Sequence, residues 1–222
     1  MTLSYSGRLD RRVFVRTAEL VNALVARREV ESAWAGESSC AGMSVGGLAR
    51  HLVEQSSYVA EYLQVAPPDD APRISVLEHY AMSDWAHEGP GGPSNLDIRD
   101  QWNAGGADDG PAETSRLQAA VVDRLPGVLS TAGDEMYLPW HHVVMPADDF
   151  VVTRMMESVV HADDLATSVG LPTPDFGPDV LEPVLGLLAA LAVEEHGQDA
   201  VVRTLTRPQR APASIAVFGG PS

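Results

Sequence analysis

Long segments with apolar residues at helical spacing, each ended by proline or glycine, constrain the fold of this 222-residue chain most strongly. The clearest segment runs from Val45 to about Val65, with Ser44 placed as its N-cap and Pro67 behind its end. Four of the predicted helices are long, and an antiparallel bundle is the natural packing for them. The predicted helices are Arg8–Arg28, Val45–Val65, Ile74–Ala86, Leu96–Asn103, Ala112–Ala132, Pro146–Val169 and Pro178–His196.

The remaining segments are predicted as connections. Ala33–Met43 is a loop rich in glycine and serine, Gly105–Pro111 is a loose segment, and Leu138–Met145 is an extended connector. Ala213–Phe218 has the composition of one short strand. We therefore predict an all-α fold, a four-helix bundle with short extra helices over residues 1–200, and a small C-terminal extension over residues 201–222.

The composition limits the function classes. Hydrophobic residues make up 45% of the chain, which is enough for a packed core, and the net charge is −16. This acidity argues against nucleic acid and anionic membranes as partners, because both need clustered lysine and arginine. The start of the chain does not read as a signal peptide, and no apolar run reaches the ~20 residues of a membrane span. A cytoplasmic location is the default prediction.

The candidate site begins with Glu157 and His161, which are four residues apart in one predicted helix. Residues at i and i+4 lie on the same helix face, so a carboxylate and an imidazole at this spacing can meet one metal ion. Bundles that bind two metals use the related Glu-x-x-His spacing. A hydrogen-bonded Glu–His pair or a solvated face would give the same spacing without a metal.

His51 is the candidate third ligand. It lies in the middle of the predicted helix Val45–Val65, close to the apolar stripe, where a lone histidine is usually a hydrogen-bonded core residue. Together with Glu157 and His161 it completes a set of two histidines and one carboxylate. Such a set leaves coordination positions open for water or substrate, as catalytic zinc sites do.

Two charged residues flank the pair. Asp164 could orient the imidazole of His161 by accepting its free N–H, although it could also be a surface acid. Arg154 lies three residues before Glu157 and is a candidate catalytic group; a surface ion pair is the alternative.

The other chemically active side chains are secondary candidates. His141 and His142 are adjacent, so in an extended connector they point to opposite sides, and one of them could act as an acid–base group at the site entrance. His79, His87 and His196 lie in segments predicted to be exposed. Cys40, the only cysteine, has no base fixed near it in the sequence and is a weak nucleophile candidate.

Two segments resemble a known family. Residues 43–59, MSVGGLARHLVEQSSYV, resemble a helix of the pattern W-x-V-x-x-L-x-x-H-L, with Met43 where that family often has Trp. Residues 145–172 resemble its R-x-x-E-x-x-V-H-x-x-D-L-A-x-x-x-G helix. Both patterns are typical of the DinB-like superfamily, and within it of the N-terminal domain of mycothiol-dependent maleylpyruvate isomerase, which this chain resembles. The resemblance covers about residues 8–200, but residues 66–135 match nothing specific, so it does not assign maleylpyruvate as the substrate.

The resemblance implies a DinB-like four-helix bundle that holds a divalent metal, usually zinc, through His51, Glu157 and His161. It also implies a low-molecular-weight thiol, mycothiol in the first instance, whose thiolate the metal promotes. A metal with open positions lowers the pKa of a bound thiol, which agrees with the donor set found from the residues.

The predicted function is therefore isomerisation or S-transfer on a small electrophilic substrate by a metal-dependent, thiol-using enzyme. Two alternatives remain open: a hydrolase in which the metal activates water, and a bundle that binds a small ligand or partner without catalysis. A homodimer is compatible with a bundle, although no motif specifies one.

Overall fold

Four long helices form the centre of the molecule, which is a computed structural model describing residues 3–218. The second long helix, α3 (Val45–Tyr62), packs against α6 (Pro93–Thr131) and α7 (Ala147–Ser168), and α1 (Arg12–Val25) packs against the same two helices. Side chains such as Phe14, Leu48, Phe150 and Met155 are fully buried between them. The helices of the described residues are α1 Arg12–Val25, α2 Arg28–Ala33, α3 Val45–Tyr62, α4 Val76–Ala81, α5 Asp84–His87, α6 Pro93–Thr131, α7 Ala147–Ser168, α8 Pro178–His196 and α9 Gln198–Thr206.

The two helices of the candidate site have the ends that their sequences predict. The side chain of Ser44 caps α3 by accepting a hydrogen bond from the backbone N–H of Gly47 at 3.0 Å. Helix α7 follows directly after Pro146 and ends before Gly170, which has a φ of +70°. A glycine adopts this left-handed conformation without strain and is the usual way to end a helix.

The loose segment predicted at Gly105–Pro111 is longer than the break that the structure has. Only Gly110 leaves the helical conformation, with φ +69° and ψ 175°, so α6 consists of two helical parts that meet at a kink there, and residues 105–109 belong to the first part. Gly106 is buried where α6 crosses α3, and an added Cβ would lie 2.6 Å from the carbonyl oxygen of Gly46. The glycine that suggested a loop thus permits a close helix crossing.

The extended connector predicted at Leu138–Met145 is instead most of a β-hairpin. Strand β1, Glu135–Leu138, pairs antiparallel with strand β2, Val143–Pro146. Residues 139–142 form the turn, and the hairpin leads directly into α7. Four-residue strands have too few alternating positions to be recognised by periodicity.

The C-terminal part also differs from prediction. Helix α9 crosses the boundary placed between residues 200 and 201, and the strand predicted at Ala213–Phe218 does not form. The backbone of this segment meets no strand partner. Its last described residue, Phe218, packs its ring 5.3 Å from Trp85 and 5.9 Å from Tyr80, so its apolar composition reflects packing on α4 and α5. Among residues 3–218, no helix is long and apolar enough to cross a membrane.

Candidate metal centre

The packing of α3 against α7 brings His51, Glu157 and His161 together. Glu157 Oε2 lies 3.2 Å from His161 Nε2 and 3.9 Å from His51 Nε2. One donor atom from each residue lies within 4.8 Å of the other two. Glu157 is buried, and both imidazoles are partly buried. The three candidate ligands named from the sequence therefore form one cluster between two helices.

The charges in this cluster are strongly coupled. Burial alone would raise the pKa of Glu157, but hydrogen bonding to His161 and His51 and the nearby Arg154 charge hold that pKa well below its usual range. Burial works against protonation of His161, yet Asp164, Cys40 and Glu157 together raise its pKa well above the ordinary value. Without a metal, the carboxylate is thus ionised and a proton on His161 neutralises it.

Asp164 lies where an orienting acid is needed. Its Oδ2 is 3.0 Å from His161 Nδ1, which leaves Nε2 of the same ring directed at Glu157. Burial is the largest influence and raises the pKa of Asp164, but the hydrogen bond and charge of His161 together with Cys40 outweigh it, so the net pKa is lowered. The predicted role of Asp164 in orienting His161 is compatible with this geometry.

Arg154 contacts the cluster through Gln55. Its Nη1 donates to Gln55 Oε1 at 2.8 Å, and the Gln55 amide donates to the backbone oxygen of His51 at 2.9 Å. Gln55 is fully buried on α3 one turn after His51. A buried Arg–Gln contact between the helices that carry the candidate ligands fixes how these helices sit against each other.

His141 and His142 occupy the hairpin turn and face different surroundings. His142 is exposed, has a φ of +52° and lies with Nδ1 2.7 Å from the Tyr137 hydroxyl. His141 is partly buried, with its ring 6.0 Å from that of His79. Of the two candidate acid–base groups, His141 is the one directed at a buried histidine, while His142 is engaged at the surface.

His79 was predicted to be exposed and is instead buried. Its Nδ1 has no hydrogen-bond partner among the described residues. Burial, together with the positive charge of Arg154 and the neighbouring His141, lowers its pKa to about 3. The short helix α4 turns His79 inward, and a helix of six residues is too short for its buried face to be read from sequence.

The position of Cys40 beside His161 was not predicted from the sequence. Its thiol, His161 and Asp164 each offer a donor atom, and these atoms lie within 4.8 Å of one another. The sequence separates Cys40 from His161 by most of the chain, and the loop that carries it has no periodicity. Only the folded bundle brings the thiol to an imidazole, so no sequence signal could have found this neighbour.

A cluster of aromatic rings lies along the face of α3 that carries His51. Tyr58 and Tyr62 follow the candidate ligand along α3, and the ring of Trp140 at the hairpin tip lies 5.9 Å and 5.3 Å from theirs. Trp140 is 48% exposed. Nearer the cluster, the ring of buried Trp102 lies 5.3 Å from His51. These rings give the surroundings of the cluster an apolar wall.

The donor set fits a divalent metal by its chemistry. Two imidazole nitrogens and an ionised, buried carboxylate oxygen converge, and an isolated buried carboxylate is costly unless a cation or proton compensates it. Among the described residues, His51 Nδ1 is buried without a hydrogen-bond partner, while its Nε2 lies 3.5 Å from Gln55 Nε2. The residues could hold the metal that the resemblance implied.

Comparison with known families agrees with this geometry. The model of the mycothiol maleylpyruvate isomerase N-terminal domain matches residues 14–166. The chain belongs to this family. The match includes residues 66–135, the part that the two resembling helices left unassigned. The family and the helical architecture confirm the predicted all-α, DinB-like fold.

Solved structures support the same fold. A crystal structure of the mycothiol-dependent maleylpyruvate isomerase aligns over 86% of this chain and 72% of its own, with a TM-score of 0.50 and 18% sequence identity. A mutant form of the mycothiol-dependent maleylpyruvate isomerase aligns over 89% and 75%, with a TM-score of 0.51 and 16% identity. Among proteins with curated descriptions, none matches this chain in sequence.

Proposed function

We propose that this chain is a metal-dependent enzyme that uses a low-molecular-weight thiol, mycothiol in the first instance, for isomerisation of or S-transfer to a small electrophilic substrate. One observation carries the proposal: His51, Glu157 and His161 converge between α3 and α7 in a member of a mycothiol-related family. A donor set of three with open positions is typical of catalytic rather than structural sites.

The proposed ligands are His51, Glu157 and His161, and zinc is the proposed metal. A divalent cation bound there would lower the pKa of a bound thiol, so that the thiolate is available at neutral pH. Asp164 accepts a hydrogen bond from His161 Nδ1 and so keeps Nε2 free of a proton when the proton between His161 and Glu157 is displaced.

Arg154 is proposed to stabilise negative charge, and His141 is proposed to transfer a proton. Arg154 places a guanidinium beside the buried cluster, where it favours an anionic group on the substrate or a developing negative charge. His141 is the better placed of the two turn histidines to move a proton, because it is partly buried and faces His79. The rings of Tyr58, Tyr62 and Trp140 provide an apolar wall against water.

The test combines metal analysis with turnover. Purified protein is expected to contain one tightly bound divalent metal at the cluster and to convert electrophiles such as cis-unsaturated ketoacids only when thiol is added. His161→Ala should lower both metal content and thiol-dependent turnover by about 100-fold. His196→Ala, which removes an exposed histidine on α8, is the matched control and should change neither.

Two outcomes would contradict the proposal. Turnover that is equally fast without thiol would favour a hydrolase in which water is activated. Tight ligand binding without any turnover in the presence of metal and thiol would favour a non-catalytic binding protein.

A further inference from the structure

His161 has functional groups on both edges of its ring. Nε2 lies 3.2 Å from Glu157 Oε2, on the side of the proposed metal centre. Nδ1 lies 3.0 Å from Asp164 Oδ2, and on this side the thiol of Cys40 is also within reach. The imidazole therefore stands between two separate groups of potential ligands.

The loop that carries Cys40 is fastened to α7. The backbone N–H of Ser39 donates to Ser168 Oγ at 2.8 Å, and the Ser39 hydroxyl donates to the backbone oxygen of Asp164 at 2.9 Å. Ser38 is buried and hydrogen-bonded to the backbone of Cys40. The thiol is thus held over the last turns of α7 by contacts that do not involve the sulfur itself.

We infer that Cys40 Sγ, Asp164 Oδ and His161 Nδ1 form a second metal-binding site, which takes a thiophilic divalent cation such as Zn²⁺ or Cd²⁺. The three donor atoms lie within 4.8 Å of one another and all three residues are partly buried, so water can complete the coordination. A thiolate, an imidazole and a carboxylate are a donor set that zinc accepts, and the thiolate selects against Mg²⁺ and Ca²⁺. This site goes beyond the proposed function and does not depend on it.

Binding at this site exchanges protons for the cation. The thiol proton of Cys40 and the proton on His161 Nδ1 pass to solvent, and the hydrogen bond from Nδ1 to Asp164 is replaced by shared ligation. If both sites are filled, the proton on His161 Nε2 passes to solvent as well, and two dications bring four positive charges. The carboxylates of Glu157 and Asp164, the Cys40 thiolate and the His161 imidazolate supply four negative charges, so the pair of sites is neutral as a unit.

Cadmium titration tests the second site, because a cadmium–thiolate bond gives a charge-transfer absorption in the ultraviolet and Cys40 is the only cysteine. The wild-type chain should bind two tight equivalents of Cd²⁺ and develop this absorption. Cys40→Ser should bind one equivalent without it. Absence of the thiolate absorption in the wild-type protein, or the same stoichiometry in Cys40→Ser, would overturn the proposal.

His51→Ala separates the two sites. It removes a ligand of the first cluster and leaves Cys40, Asp164 and His161 unchanged, so it should keep the cadmium–thiolate absorption and bind one equivalent. In the same variant, bound Cd²⁺ should slow alkylation of Cys40 by iodoacetamide by at least about tenfold. Alkylation at an unchanged rate in folded His51→Ala protein contradicts the proposal, while failure of the first centre alone would leave this result intact. Far-ultraviolet circular dichroism checks the fold of each variant.

Discussion

A buried histidine without a partner at Nδ1 makes the molecule sensitive to acid. His79 is 4% exposed, and burial lowers its pKa to about 3, with Arg154 and His141 adding to the effect. In the unfolded chain an ordinary histidine titrates near pH 6.5. The folded pKa is lower, so between these values the unfolded state binds more protons and acid favours unfolding.

The sign and size of this effect can be predicted. The contribution of His79 to stability is fully present above pH 6.5 and is lost as the pH falls toward the folded pKa of about 3. Between pH 7 and pH 5 the loss amounts to about 2 kcal/mol. Urea unfolding at pH 7 and pH 5 measures the loss of unfolding free energy between the two pH values. This loss should be about 2 kcal/mol smaller in His79→Phe than in the wild type.

His87→Phe is the matched control on the neighbouring helix α5, because His87 is exposed. If His79→Phe loses as much stability as the wild type between pH 7 and pH 5, the histidine is not kept neutral by burial. The other buried titratable groups are common to all three proteins and cancel in the comparison.

The candidate site could be predicted from sequence only where its residues share a helix or a helix pattern. Glu157 and His161 were found because four residues of helix separate them, and His51 because it stands beside an apolar stripe. The exposure of His79 was predicted wrongly and the position of Cys40 beside His161 was not predicted, since a six-residue helix and an irregular loop carry no periodicity that shows which way a side chain points. Their positions follow from tertiary packing alone.

Between elements, one close approach in the bundle is built from glycine. Gly106 of α6 faces Gly46 and Gly47 of α3, and an added Cβ would collide with their backbone atoms. The indole N–H of Trp34 donates to the Gly106 carbonyl oxygen at 2.9 Å and closes the crossing from the side. Helix α3 carries His51, so this crossing also fixes one candidate ligand.

Gly106→Ala should be strongly destabilising. Backbone cannot yield as a flexible side chain can, so the helices must separate, at a cost of about 2–3 kcal/mol in the free energy of unfolding. The control is Gly127→Ala in the same helix, where an added Cβ meets nothing within 4 Å. That change should be neutral or stabilising by up to about 1 kcal/mol, because alanine favours helix. Thermal unfolding of both variants measures the contrast, and equal effects would refute the close crossing.

At the element level, long amphipathic helices were predictable and short or composite elements were not. Helix α8 was predicted with the bounds that the structure has, Pro178–His196. Dividing α6 in two agrees with the kink at Gly110, but the predicted break was too long, because Gly106 is helical and serves packing. The pairing of the β-hairpin and its first residues were not predicted, because its strands are stabilised by each other and by a contact with Ile74 outside them.

On the scale of the whole molecule, acidity and the buried cluster act together. The chain carries 31 acidic and 15 basic residues, so its field attracts cations and repels anions. A cation bound by His51 on α3 and by Glu157 and His161 on α7 would tie together two helices that already pack against each other. A cation that binds only the folded state adds its binding free energy to the free energy of unfolding.

Metal removal should consequently lower the thermal stability of the whole bundle. In a Cys40→Ser background, which removes the thiolate site, free Zn²⁺ at 100 times its dissociation constant should stabilise the fold by about 2.7 kcal/mol relative to chelator-treated protein. Glu157→Gln in the same background keeps the side-chain shape but loses the carboxylate, so its melting temperature should no longer respond to Zn²⁺. Calorimetry with and without chelator measures both proteins. Equal melting temperatures with and without zinc in the Cys40→Ser protein would show that α3 and α7 are held together by packing alone.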